Sequence, residues 1–248
     1  MTGLPGFDVL LPRLASHGQL SIADLSRSAA IPEPELRAVC EGTVPSPALL
    51  RGLAPVLRLH AADLFVIAGL PVPDELAPLD ARARGLVAGL VQEVVGLPPE
   101  RRRRLRQLAR ALPQESRTEP VWTPQVYEQF KRGPGAVLLG MVGNRNLSWT
   151  GIAWTFVSLT GRYWAASTYG GVGSGRKELT PDLLTDFATV LGIPADTLSV
   201  LTGIDLPDGT PPPDPAAADA AQLLWDVRRL TVDQVQKVDD MARTKPHA

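Results

Sequence analysis

Residues 46–74 read SPALLRGLAPVLRLHAADLFVIAGLPVPD, and residues 180–208 read TPDLLTDFATVLGIPADTLSVLTGIDLPD. The two stretches align without a gap at an offset of 134, pairing Pro47 with Pro181, Leu49 with Leu183, Leu50 with Leu184, Ala54 with Ala188, Leu57 with Leu191, Leu64 with Leu198 and Gly69 with Gly203. A match of that length inside one chain marks a duplication, and a repeat must be settled before any motif is read. In the first stretch Ser46 is a cap and Pro47 an entry residue, because proline at the first helical position loses nothing by lacking an N–H. Leu49, Leu50, Leu53, Val56 and Leu57 follow at helical spacing as a buried face. Residues 61–68 form a second short helix, ended by Gly69.

The duplication extends outward. Residues 97–112 (LPPERRRRLRQLARAL) resemble residues 230–245 (LTVDQVQKVDDMARTK) at an offset of 133, and Leu20-Ser21 matches Leu147-Ser148 at 127. The second copy therefore carries about seven extra residues between its Leu-Ser and its Thr-Pro. In the first copy, Leu25, Ala29, Leu36 and Val39 recur at helical spacing around a break at Ile31-Pro32, and Gly42 is a stop. Residues 79–95 and 98–112 predict two longer helices, an arm beside the small bundle. In the second copy, residues 207–215 (PDGTPPPDP) predict an extended linker before a helix at 216–230. The expected fold is all-α: two tandem helical bundles, each followed by a helical extension, at 1–117 and 118–248. The joint falls near residues 114–124, where Pro, Ser, Thr and charge replace apolar periodicity. Composition agrees, since aromatics make up only 5% and Leu, Ala and Val supply most of the apolar content.

Charge is segregated along the chain. Between Glu128 and Glu178 there is no acid, while Lys131, Arg132, Arg145, Arg162, Arg176 and Lys177 give about +6 in a protein whose net charge is −1. From Glu178 onward twelve acids outweigh the cations. Segregation of this kind suggests a local anionic partner, since clustered positive charge attracts phosphates whatever the total. The alternative is that these cations lie on several faces of one helical domain.

Other classes lose support. No apolar run approaches a membrane span, and no charged leader with an apolar core and cleavage site opens the chain, so a soluble cytoplasmic location and no membrane partner are the default expectation. One cysteine, Cys40, excludes an internal disulfide, and His17, His60 and His247 lack metal-ligand spacing. No metal or other cofactor is expected. Residues 170–177 superficially resemble a phosphate-binding loop but have Arg176 where lysine is required and no Ser or Thr after Lys177. No nucleophile, base or metal set emerges, and an enzyme is not expected. The arginines at 101–104, 106 and 110 flank a Leu105, Leu108, Leu112 stripe and read as a solvated or intersubunit face, or as a nonspecific DNA contact. Heavy Arg, Ala, Pro and Gly usage fits a GC-rich bacterial genome.

Residues 19–47, QLSIADLSRSAAIPEPELRAVCEGTVPSP, resemble the helix-turn-helix of the lambda-repressor-like family, also called Cro/CI or Xre-type. The resemblance rests on Leu20-Ser21 opening the first motif helix, Leu25, Ser26 at the small position, Ala30 where the turn glycine sits, Ile31 as the turn hydrophobe, Leu36 and Val39 facing inward, and Gly42 as terminator. It covers roughly residues 7–70 and, more loosely, 136–204.

The resemblance implies a DNA-binding transcriptional regulator that acts on double-stranded DNA as a homodimer, with the second motif helix in the major groove. In the first copy that helix would present Glu33, Pro34, Glu35 and Arg37, with Glu41 nearby. Carboxylates repel phosphates, so the first copy is expected to serve as scaffold, dimerisation surface or protein-binding module. In the second copy Leu147, Ser148, Ile152, Ala153 and Phe156 match the first motif helix. Ser158 or Thr160 is then expected to cap a helix presenting Arg162, Tyr163, Ser167, Thr168 and Tyr169, with Trp164 turned inward. Arg can pair with guanine, and Ser, Thr and Tyr can reach bases or phosphates. Residues 170–175, GGVGSG, read as a flexible loop or wing that leads to Arg176 and Lys177. The expected DNA contacts are Arg145, Arg162, Tyr163, Ser167, Thr168, Tyr169, Arg176 and Lys177. An alternative is a protein-interaction module on the same fold that has lost DNA binding, with Trp149, Trp154 and Phe156 joining the tyrosines as a binding surface.

Overall fold

The computed structural model describes residues 3–116, 130–131, 133–209 and 211–244, so most of the expected joint at 114–124 lies outside the described residues. Among the described residues every regular element is helical. The first set comprises α1 (Phe7–His17), α2 (Ile22–Ala29), α3 (Glu33–Cys40), α4 (Pro47–Val56), α5 (Ala61–Ala68), α6 (Arg84–Val95, preceded by a 3-10 turn at Ala81–Ala83) and α7 (Pro99–Ala111). The second repeats the order: α8 (Pro134–Gly143), α9 (Trp149–Thr160), α10 (Ala166–Gly173), α11 (Pro181–Leu191), α12 (Ala195–Thr202), α13 (Pro215–Val227) and α14 (Val232–Arg243). No helix among the described residues is long and apolar enough to cross a membrane.

Local chemistry explains the boundaries. Proline opens α4, α7, α8, α11 and α13, where its fixed φ suits the helix and its missing N–H would be unpaired anyway. Ser46, Ser148 and Thr180 cap α4, α9 and α11 through their hydroxyls, and Ser21 with Asp24 forms a capping box on α2. The stops repeat in pairs of left-handed residues: Gln19 and Asn146 (φ 55 and 56), Ala30 and Gly161 (53 and 70), Gly42 and Gly175 (103 and 72), Arg58 and Gly192 (55 and 65), Gly69 and Gly203 (73 and 72). A non-glycine residue seldom adopts this conformation, so the match of Gln19 with Asn146 is the most telling of these pairs. Most of the extra length of the second copy lies in α9, with 12 residues against 8 in α2.

The two sets share one contiguous apolar core. Within each set α1 packs on α3, α2 on α4 and α4 on α5, and likewise α8 on α10, α9 on α11 and α11 on α12. Between sets α1 meets α12 and α5 meets α8, while the arms interlock, α6 with α13 and α14, and α7 with the same two. The first arm also crosses onto the second bundle, with α6 against α9. At this crossing Gly151 faces Ala88, and a Cβ on it would make ordinary contact with the Ala88 methyl at 3.4 Å while crowding the Ser148 hydroxyl that caps its own helix, at 2.8 Å.

The arginine-rich helix is a correction. Arg102 is buried and donates to Asp219 of α13 at 2.9 Å, while Arg106 and Arg110 share Asp226 at 3.3 and 3.1 Å. Arg101 donates to the carbonyl oxygens of Met241 and Ala242 on α14. These side chains tie the arms together inside one chain, and only Arg103 and Arg104 remain as exposed cations of the 101–104 run.

A polar junction lies where α5, α8, α11 and α13 meet. Asp63, fully buried, accepts from Asn144 Nδ2 at 2.8 Å and from Arg145 Nη1 at 2.5 Å. The Arg145 guanidinium also donates to the carbonyl oxygens of Met141 and Leu191, at 2.7 and 2.8 Å, and lies over the Trp225 ring. His60 stacks on the same ring at 3.5 Å. Burial lowers the His60 pKa; Asp63 opposes that and Arg145 and Arg228 add to it, leaving a value of about 4. The unfolded chain takes up this proton near 6.5 and the folded one resists it until about 4. The stability this group contributes is therefore complete above 6.5 and is lost as pH falls through that window, to a limit on the order of 3 kcal/mol. Urea midpoints measured near pH 7.5 and near pH 5 should differ more for the native chain than for His60→Phe, which keeps a ring on Trp225 but cannot titrate. Equal differences would rule out this role.

Candidate nucleic-acid interface

The segment expected to form a second motif begins with Ser148, whose hydroxyl accepts from Gly151 N at 3.0 Å and starts α9. The helix runs on to Thr160, and Gly161, left-handed at φ 70, ends it. Ser158 and Thr160 therefore lie within α9, and neither caps the next helix. The Thr160 hydroxyl instead bonds back to Phe156 O at 2.8 Å, and Ala165 occupies the N-cap position of α10. Arg162, Tyr163 and Trp164 belong to the turn.

The glycine run is also corrected. Gly170, Gly171 and Gly173 lie in α10, and Gly175 is its left-handed stop. The glycines serve close approach: a Cβ on Gly173 would lie 2.5 Å from the Phe130 ring and 2.6 Å from Leu139, and one on Gly171 would lie 2.7 Å from Lys177 Cγ. From α8, a Cβ on Gly135 would lie 2.7 Å from the Val172 carbonyl carbon. The backbones of α8 and α10 are thus nearly in contact.

Of the eight expected DNA contacts, two lie inside the molecule. Arg145 is held in the polar junction with no exposed surface. Tyr169 packs edge-on against Phe156 at 4.9 Å, and burial pushes its phenol pKa up. Arg162 is exposed but engaged, 2.9 Å from Asp182 and 3.3 Å from Asp186. Asp186 also accepts from Trp164 Nε1 at 2.6 Å, so Arg162 and Trp164 together clamp the turn to α11. Burial raises the Asp186 pKa, while Trp164 and Arg162 work against that rise.

The other five lie on α10 or its flanking turns, and none of them is buried. Tyr163 is 72% exposed, Ser167 is exposed and Thr168 half-buried. Gly171 allows the Lys177 stem to run back along α10, where Nζ lies 3.4 Å from Thr168 Oγ1. Arg176 donates to Ser174 Oγ at 3.0 Å. Among the described residues no carboxylate pairs with either cation. Lys131, one of the cations of the acid-free segment but not among the expected contacts, joins Lys177 and Glu178 in lining a cavity of about 460 Å³ between the first turn of α8 and the end of α10. Its signal was its place in the acid-free segment. Arg132 lies outside the described residues.

The first copy supplies an internal contrast. Gly42 and Gly175 are equivalent stops, and the residues that follow are Thr43 and Val44 in one copy but Arg176 and Lys177 in the other. The α3 helix opens with Glu33 and Glu35, and Arg37 is paired with Glu33. Both carboxylates and Glu41 stand where a phosphate-facing helix would suffer repulsion.

Comparison with protein-family models, with curated proteins and with solved structures returns no match.

Proposed function

We propose that the chain is a DNA-binding transcriptional regulator that grips double-stranded DNA through α10 and the cations that follow it. The observation that carries this reading is the pair Arg176 and Lys177, exposed and, among the described residues, unpaired by carboxylates, with the Lys177 ammonium beside Thr168 of α10. Cations free of carboxylates keep their attraction for phosphates, and neighbouring hydroxyls can reach phosphates or base edges. Resemblance of residues 19–47 to the lambda-repressor-like motif supports the reading, as does an α9–α10 pair with a left-handed turn where α2 and α3 have Ala30. The reader is a reduced set: Tyr163, Ser167, Thr168, Arg176 and Lys177, with Arg145 and Tyr169 in the core and Arg162 bracing the turn.

The first copy suits a different partner. Val44, 70% exposed, follows the end of α3, a helix whose first turn carries Glu33 and Glu35, features that suit protein contact and not phosphate. If such contact were the function of the whole chain, DNA binding would be absent.

Retention of mixed genomic fragments at two salt concentrations separates the two readings. Binding at low salt that falls steeply as salt rises is the expected result. No retention even at the lower concentration would overturn the DNA reading and leave the protein-interaction module.

A further inference from the structure

A two-fold dimer has a signature: whatever element of one subunit touches a second element of its partner, the reverse contact is also made. Most contacts between the two sets of this chain bear that signature; α6–α9 departs from it, having no α13–α2 counterpart of comparable extent. The α1–α12 contact is the counterpart of α8–α5, and α6–α14 that of α13–α7, while α6–α13 and α7–α14 are their own counterparts. The helix ends correspond as well. Asn144, at the end of α8, donates to Asp63 in the first turn of α5; His17, its equivalent at the end of α1, has Nε2 3.6 Å from Asp196 in the first turn of α12, one residue before Thr197, the equivalent of Asp63.

From this reciprocity we infer that the two helical sets form an internal pseudo-dimer, and that the chain acts on DNA as a single polypeptide reading one half-site of a non-palindromic sequence. The inference rests on the DNA reading of α10. The surface that a two-fold pair of separate chains would bury is already used, because the arms cover one another: Leu90, Val91, Leu105, Leu224, Val235 and Val238 are all buried. The large exposed apolar side chains among the described residues, Val9, Val44, Trp154, Tyr163 and Met241, are spread over different elements. A stable homodimer seam needs a contiguous apolar patch. Half-site inequality follows from the copies themselves, since Arg176 and Lys177 stand where the other half has Thr43 and Val44. The homodimer that family resemblance implies is thereby replaced by a one-chain version with a single armed half.

Two measurements on the full chain test this. Light scattering of the free protein, up to its solubility limit, should give the mass of one chain, 26.5 kDa. Selection from random-sequence duplexes should then enrich one asymmetric block, with one chain per duplex by native mass spectrometry. A free protein of twice that mass overturns the pseudo-dimer. An inverted pair of blocks bound by two chains overturns the single half-site and leaves the DNA reading standing. A single-chain mass with no enrichment at low salt overturns the DNA reading and the half-site with it, while the pseudo-dimer survives.

Discussion

Asp63→Ala should destabilise the chain by about 3–5 kcal/mol, because it leaves the Arg145 charge buried without its counter-ion. Arg145 has no exposed surface, and after the substitution its guanidinium would keep the carbonyls of Met141 and Leu191 and the Trp225 ring, none of which carries a negative charge. Asn144 would lose its acceptor as well. Domains of this kind are stable by about 5–15 kcal/mol, so a loss of that size is a large share of the total. The companion variant Asp63→Leu with Arg145→Met removes both charges and fills the site with apolar volume, and such replacements are often neutral or stabilising. Urea denaturation followed by circular dichroism should place the double variant well above Asp63→Ala. A double variant no more stable than the single one would mean that the junction does not depend on matched charge.

Gly135→Ala should cost about 1–3 kcal/mol through overpacking, and should weaken DNA binding at the same time. Its new methyl would press on the Val172 carbonyl group, whose carbon would be 2.7 Å away. Backbone cannot swing aside as a side chain can, so α8 and α10 would have to separate and α10 would shift. Gly170→Ala, in α10 on the other side of the same helix pair, is the control. Its methyl would meet only the Trp149 ring, at an ordinary 3.5 Å, and alanine gains up to about 1 kcal/mol over glycine in a helix interior. Opposite signs for the two variants in the same denaturation assay are expected. Similar losses for both would show that the glycines of α8 and α10 matter for flexibility and not for close approach.

Much of this fold was legible because its signals are local. Ser46 before Pro47, Thr180 before Pro181 and the recurring stops each state a boundary within a few residues, and the duplication states each of them twice. What depended on distant parts of the chain was not legible. Arg145 follows an apolar helix much as a surface arginine would, and only Asp63, 82 residues away, turns it into a core residue. Tyr169 lies between exposed hydroxyls and glycines, yet Phe156 and Phe187 enclose it. Glycine itself is ambiguous in sequence, since a flexible loop and a tight helix crossing both call for it. The positions of Phe130, Leu139 and Lys177 decide between the two. The arginine-rich α7 met its acidic partners on α13, across an arm pairing that no short-range pattern announces.

The central claim is that Arg176 and Lys177 are the phosphate grip of the second copy. The most direct measurement is the dependence of DNA affinity on salt for the native chain and for Arg176→Ala with Lys177→Ala, using one labelled duplex in fluorescence anisotropy. Loss of two phosphate contacts should lower the slope of log affinity against log salt by about 2 and weaken binding at every salt concentration. Equal slopes and affinities for the two proteins would show that DNA, if bound at all, is held elsewhere.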